Sequence, residues 1–165
     1  MKELLDKLSS YNIFNYLLPG ILFSVLVSKM TELELIQKDL VVGVFIYYFV
    51  GLIVSRFGSL IIEPFLKKIK FLKFVDYKDL VQASSRDGKI DILLEANNMY
   101  RTFIATFLLL GLVKLYYLIA NKWTFLNENS DWILILLIIG MFLFSYRKQT
   151  NYITKRINSQ NASNE

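Results

Sequence analysis

Long apolar stretches alternate with polar, charged segments along this chain. The apolar stretches run over Ile13–Val27, Leu40–Val54, Thr102–Ala120 and Trp132–Tyr146. Charge is almost absent from them, and Lys114 is the one exception. A hydrocarbon core of ~30 Å needs about 20 mostly apolar helical residues. Backbone polar groups cannot be left bare in lipid, so such stretches predict spanning helices. With their flanking turns, the predicted spans are 13–30, 40–62, 101–121 and 131–147. The fold class expected is an all-α integral membrane protein with a helical hairpin, about 63–100, between the second and third spans.

The intervening polar segments also have periodicity. Leu4, Leu5 and Leu8 lie on one face of a short amphipathic helix over Lys2–Ser10. The second helix is expected to run to Ile62 and stop at Pro64. Phe65–Val75 alternates large apolar residues with Lys67, Lys68, Lys70 and Lys73. Such a segment suits the anionic surface of a membrane, or a phosphate-rich ligand such as a nucleotide or oligonucleotide signal. A helix over Asp76–Ala83, a turn over Ser84–Lys89 and a helix from Ile90 running unbroken into the third span complete the hairpin. The polar tail from Thr150 is expected to fray beyond Ile157.

Polar and small residues within the spans mark candidate sites. Gly20, Ser24 and Ser28 recur at four-residue steps in the first span, and Gly51, Ser55 and Ser59 in the second. Small stripes let helix backbones approach closely, either inside one subunit or between subunits. Pro19-Gly20 is read as a tolerated proline or a kink. Ser55, Arg56, Ser59 and Glu63 fall within an arc of about 100° on the second helix. Arg56 snorkels, or the stripe lines a polar interior. Glu95, Asn98, Arg101 and Thr102 share one face of the third helix, and Arg101 is placed to meet Glu63. Lys114 lies ~20 Å above Arg101 along that helix. It either snorkels outward beside Tyr116 and Tyr117 or lines an aqueous path.

Charge adds an orientation. The N-terminal segment holds Lys2 and Lys7, the stretch Arg56–Arg101 holds nine Lys and Arg, and the tail holds four. The two short connections hold only Lys29, Lys38 and Lys122. This asymmetry predicts both termini and the hairpin in the cytoplasm. Trp123 and Trp132 flank the second outer connection, as in an interfacial aromatic belt. No small-residue cleavage site follows the first apolar stretch, so it is expected to stay in the membrane.

Composition narrows the chemistry. There is no cysteine and no histidine, which excludes disulfides, thiolate nucleophiles, Cys/His metal sites and imidazole catalysis. No cofactor or metal is expected. An enzyme acting on lipid would have only Glu63, Asp91 and Glu95 to work with, so none is expected. Two readings remain: a homo-oligomeric channel with a polar ring for selectivity, and a non-conducting scaffold that holds a soluble partner.

The words "EANNMYRTFIATF" (Glu95–Phe107), within Leu80–Gly111, and "YNIFNYLLPGILF" (Tyr11–Phe23) carry a family likeness. Together they resemble small bacterial four-span proteins of anti-phage defence systems, the Hailong-type membrane effectors first and the Kiwa membrane subunit next. The resemblance implies a homo-oligomeric, tetrameric channel of the inner membrane. A soluble partner that makes or senses a nucleotide signal would control it, and its opening would depolarise the infected cell. Its carry-over to functional residues is confined to the segment Glu95–Arg101.

Overall fold

A computed structural model describes residues 10–161, and among them every regular element is a helix. The elements are α1 (Ile13–Met30), α2 (Leu40–Lys68), α3 (Tyr77–Arg86), α4 (Lys89–Ala120), α5 (Thr124–Glu128) and α6 (Ser130–Asn161). Helices α1, α2, α4 and α6 are long and apolar enough to cross a membrane. The amphipathic helix expected over Lys2–Ser10 lies outside the described residues, except that a turn at Ser10–Asn12 leads into α1.

Both prolines sit inside helices, and each follows the same device. A π-helical turn over Ile13–Leu17 precedes Pro19, and another over Gly58–Ile62 precedes Pro64. Leu18 N–H bonds Ile13 O, and Glu63 N–H bonds Gly58 O, each five residues back. Proline lacks an N–H and its ring collides with the carbonyl four residues before it. The wider turn immediately upstream re-spaces those carbonyls, so the helix survives. Pro64 therefore does not end α2, which continues to Lys68.

Helices α1 and α2 touch backbone to backbone. A Cβ built on Gly20 would lie 1.8 Å from Tyr47 O, and one on Gly51 would lie 1.8 Å from Tyr16 O. Glycine at both positions is the condition for this crossing. Ser24 and Ser55 are buried beside it, and Ser28 Oγ accepts from Leu35 N at 3.0 Å in the following loop. The ladder of Gly20, Ser24, Ser28, Gly51 and Ser55 is thus taken up within one chain.

Helix α4 completes a three-helix core. Val54, Ile62 and Ala105 form its centre, with Phe23, Val50, Phe57, Leu66 and Leu109 packed around them. Helix α6 stands apart: 6 % of its apolar window is buried, against 33 % for α1. It leans on α2 through a Phe49–Phe142 stack, centroids 6.2 Å apart. Farther along, Tyr152 of α6 meets Tyr77 of α3 at 5.9 Å. Thr150 and Thr154 bond carbonyls one turn back, and α6 stays helical to Asn161 rather than fraying beyond Ile157. At the hairpin tip, the Ser84 hydroxyl bonds the Asp91 carboxylate, joining α3 to the start of α4.

Candidate functional site

Three long helices converge on one carboxylate at the end of the bundle where the basic residues gather. Glu63 follows the π-helical turn of α2, and its side chain is 10 % exposed. Arg101 Nη1 of α4 donates to its Oε2 at 2.7 Å. Lys67 Nζ donates to Oε1 at 3.0 Å, and Lys148 Nζ of α6 lies 3.6 Å from the same oxygen. Lys148 also donates to the carbonyl and hydroxyl oxygens of Ser59, both at 2.7 Å. Three cations face one anion, so the cluster carries a net positive charge. Arg101 Nε is buried with no hydrogen-bond partner among the described residues.

The energetic asymmetry of this cluster matters more than its net strength. Unit charges about 4 Å apart attract by about 4 kcal/mol at an effective dielectric of ~20, and desolvation offsets much of that. Removing one partner strands the others, at about 3–5 kcal/mol for a buried pair. Lys67 is the exposed member and contributes least.

One turn farther into the bundle the seam is polar but uncharged. Thr102 Oγ1 donates to Asn98 O at 2.9 Å and lies 3.5 Å from Ser55 Oγ. Thr106 Oγ1 donates to Thr102 O at 2.9 Å. These hydroxyls satisfy themselves on their own helix, which lets α2 and α4 close upon each other. Gly58 packs there against Arg101 and Ala105. On the α1 side, Asn98 Nδ2 lies 3.4 Å from Tyr11 OH. Burial first, then neighbouring Tyr16, pushes the Tyr11 hydroxyl up to about 12, so it stays neutral. Arg56 is half-buried and close enough to act on Tyr11 electrostatically.

No protein-family model matches the chain, and no curated relative and no solved structure matches it.

The sequence candidates therefore separate by geometry. Ser59, Glu63 and Arg101 meet in the ion-paired cluster, and Ser55 and Asn98 border it. Glu95 does not join: it is exposed, two turns or ~9 Å before Arg101 on α4. Lys114 is remote. Its Nζ donates to Met30 O at 2.9 Å, holding a cation at the C-terminal end of α1, where the helix dipole favours it. Lys67 belongs to the cluster and sits 4.0 Å over the Phe74 ring. Lys68, Lys70 and Lys73 are exposed. Lys70 adopts φ 62 in the turn that ends α2, so 65–75 is a helix end and a reversal.

Lys148 is the participant that sequence reasoning missed. Its helix was read as a plain span. The signal was depth: Arg147-Lys148 is the first basic pair beyond the fourth apolar stretch, level with Glu63 and Arg101. Among the described residues, no three His, Cys, Asp or Glu gather as metal ligands.

Proposed function

We propose that the chain is the subunit of a gated homo-oligomer, a tetramer in the first instance, in the bacterial cytoplasmic membrane. When released it conducts ions and depolarises the cell, as an effector of anti-phage defence rather than as an enzyme. The supporting observation is the latch at Glu63. It joins α2, α4 and α6 through ion pairs, at the point where α4 continues into the hairpin. A soluble partner or a nucleotide signal acting on α3 and the start of α4 would be transmitted to Arg101 along a continuous helix. Displacing Arg101 leaves Glu63 to Lys67 and Lys148 and loosens the hold of α4 on α2. The defence setting and the tetramer rest on the resemblance of the Tyr11–Phe23 and Glu95–Phe107 segments.

One observation favours a second reading, a non-conducting scaffold. Ser55, Ser59 and Thr102 are buried within a single chain, so a pore lined by them requires the helices to part. A potential-sensitive dye in cells expressing the chain separates the two. Arg101→Glu, which reverses the latch, is expected to collapse the potential where the wild type does not. An unchanged potential with both, at equal membrane abundance, supports the scaffold.

A further inference from the structure

The loosely attached α6 leaves a groove against α2, open to the surroundings, with a volume of about 610 Å³. That size lies within the range of about 300–1,000 Å³ typical of sites for small molecules. Leu60 and Ile61 form one wall, and Leu137, Met141 and Phe144 the other. Gly140 leaves the floor open, because a Cβ there would meet nothing within 4 Å. The lining then changes sharply along α6. Arg147, Lys148 and Asn151 stand at the mouth, ~10 to ~16 Å from Gly140 along the helix.

The two ends of the groove call for an amphiphile. An apolar trough beside a spanning helix is filled by hydrocarbon, because lipid tails are the solvent there. Lys148 is already committed to Ser59 and Glu63. Arg147 and Asn151 are exposed, and Arg147 forms no ion pair with any described residue. A guanidinium presents a planar fork of donors suited to phosphate. Asn151 adds an amide donor one turn on, and the neighbouring cluster adds net positive charge. We infer that the groove between α2 and α6 binds an anionic glycerophospholipid, with an acyl chain along Gly140 and the phosphodiester at Arg147 and Asn151. A bound lipid would then bridge α6 to the core on the side that the Glu63 latch leaves open.

Native mass spectrometry of the full-length protein in detergent tests this, with phosphatidylglycerol, phosphatidylcholine or glycerol phosphate as probes. Phosphatidylglycerol is expected to be retained in preference to phosphatidylcholine, and glycerol phosphate not at all. Arg147→Gln should weaken retention about fivefold, the effect of one surface cation. Gly140→Leu, which fills the trough, should abolish it. Lys73→Gln, away from the groove, should leave it unchanged. Equal retention of both lipids overturns the proposal, as does binding of glycerol phosphate alone. So does an equal loss with Lys73→Gln, which would mean general attraction to a basic surface. If no lipid is retained and Gly140→Leu splits an oligomer into monomers, the groove instead seats a second copy.

Discussion

Glu63 sets the properties of the basic end because of the company it keeps. Its carboxylate is shared by groups from α2, α4 and α6, and those groups differ in exposure. Glu63→Gln strands Arg101 and Lys148 and is expected to destabilise the protein by about 3 kcal/mol. Lys67→Ala removes an exposed partner and should cost less than about 1 kcal/mol. Thermal unfolding in detergent, followed by tryptophan fluorescence, checks the ranking, and equal losses would contradict it. The Glu63–Arg101 contact was legible from the sequence, because helical spacing sets depth and both residues lie at the same end of their helices. Lys148 was not, because nothing local in Phe144–Asn151 shows that α6 swings its basic end toward Ser59. Glu95 shares a helical face with Arg101, but a shared face does not give reach. Its place on α4 lies ~9 Å farther along than the latch.

At the scale of elements, the apolar stretches located all four helices that are long and apolar enough to cross a membrane, and their ends were harder to place. Pro64 looked like a stop because proline alone disrupts a regular α-helix. The compensating π-helical turn has no signature in a hydrophobic pattern, although its recurrence before Pro19 relates the two sites. The small-residue ladder was visible, but its partner was not. A stripe of Gly and Ser states how close a neighbour comes, and leaves open which chain supplies it. The reciprocal approach of Gly20 and Gly51 makes a sharp prediction. Gly51→Ala places a methyl group against Tyr16 O and is expected to abolish folded protein, at any oligomeric state. Gly111→Ala meets open space and should be neutral, or stabilising by up to about 1 kcal/mol. Size-exclusion profiles and melting curves of the two variants check this. A well-folded Gly51→Ala protein would place the ladder outside the α1–α2 contact.

The whole molecule is a tight unit of α1, α2 and α4 with α6 attached at its margin. The basic residues collect at the end where the hairpin of α3 and α4 meets the bundle. Helix α4 is unbroken from Lys89 to Ala120, so the start of the hairpin's second arm and Arg101 share one continuous helix. Disabling the latch is expected to loosen α6 from α2 while sparing the glycine crossing and the core around Val54. Lys148→Met is the mildest such change, since it keeps the stem of the side chain and removes the charge that ties α6 to Ser59 and Glu63. Potassium efflux from liposomes holding the purified full-length protein is the most direct measurement. Little efflux is expected with the wild type and several-fold more with Lys148→Met at equal incorporation. Liposomes that stay sealed with both proteins, each folded and inserted, would contradict this.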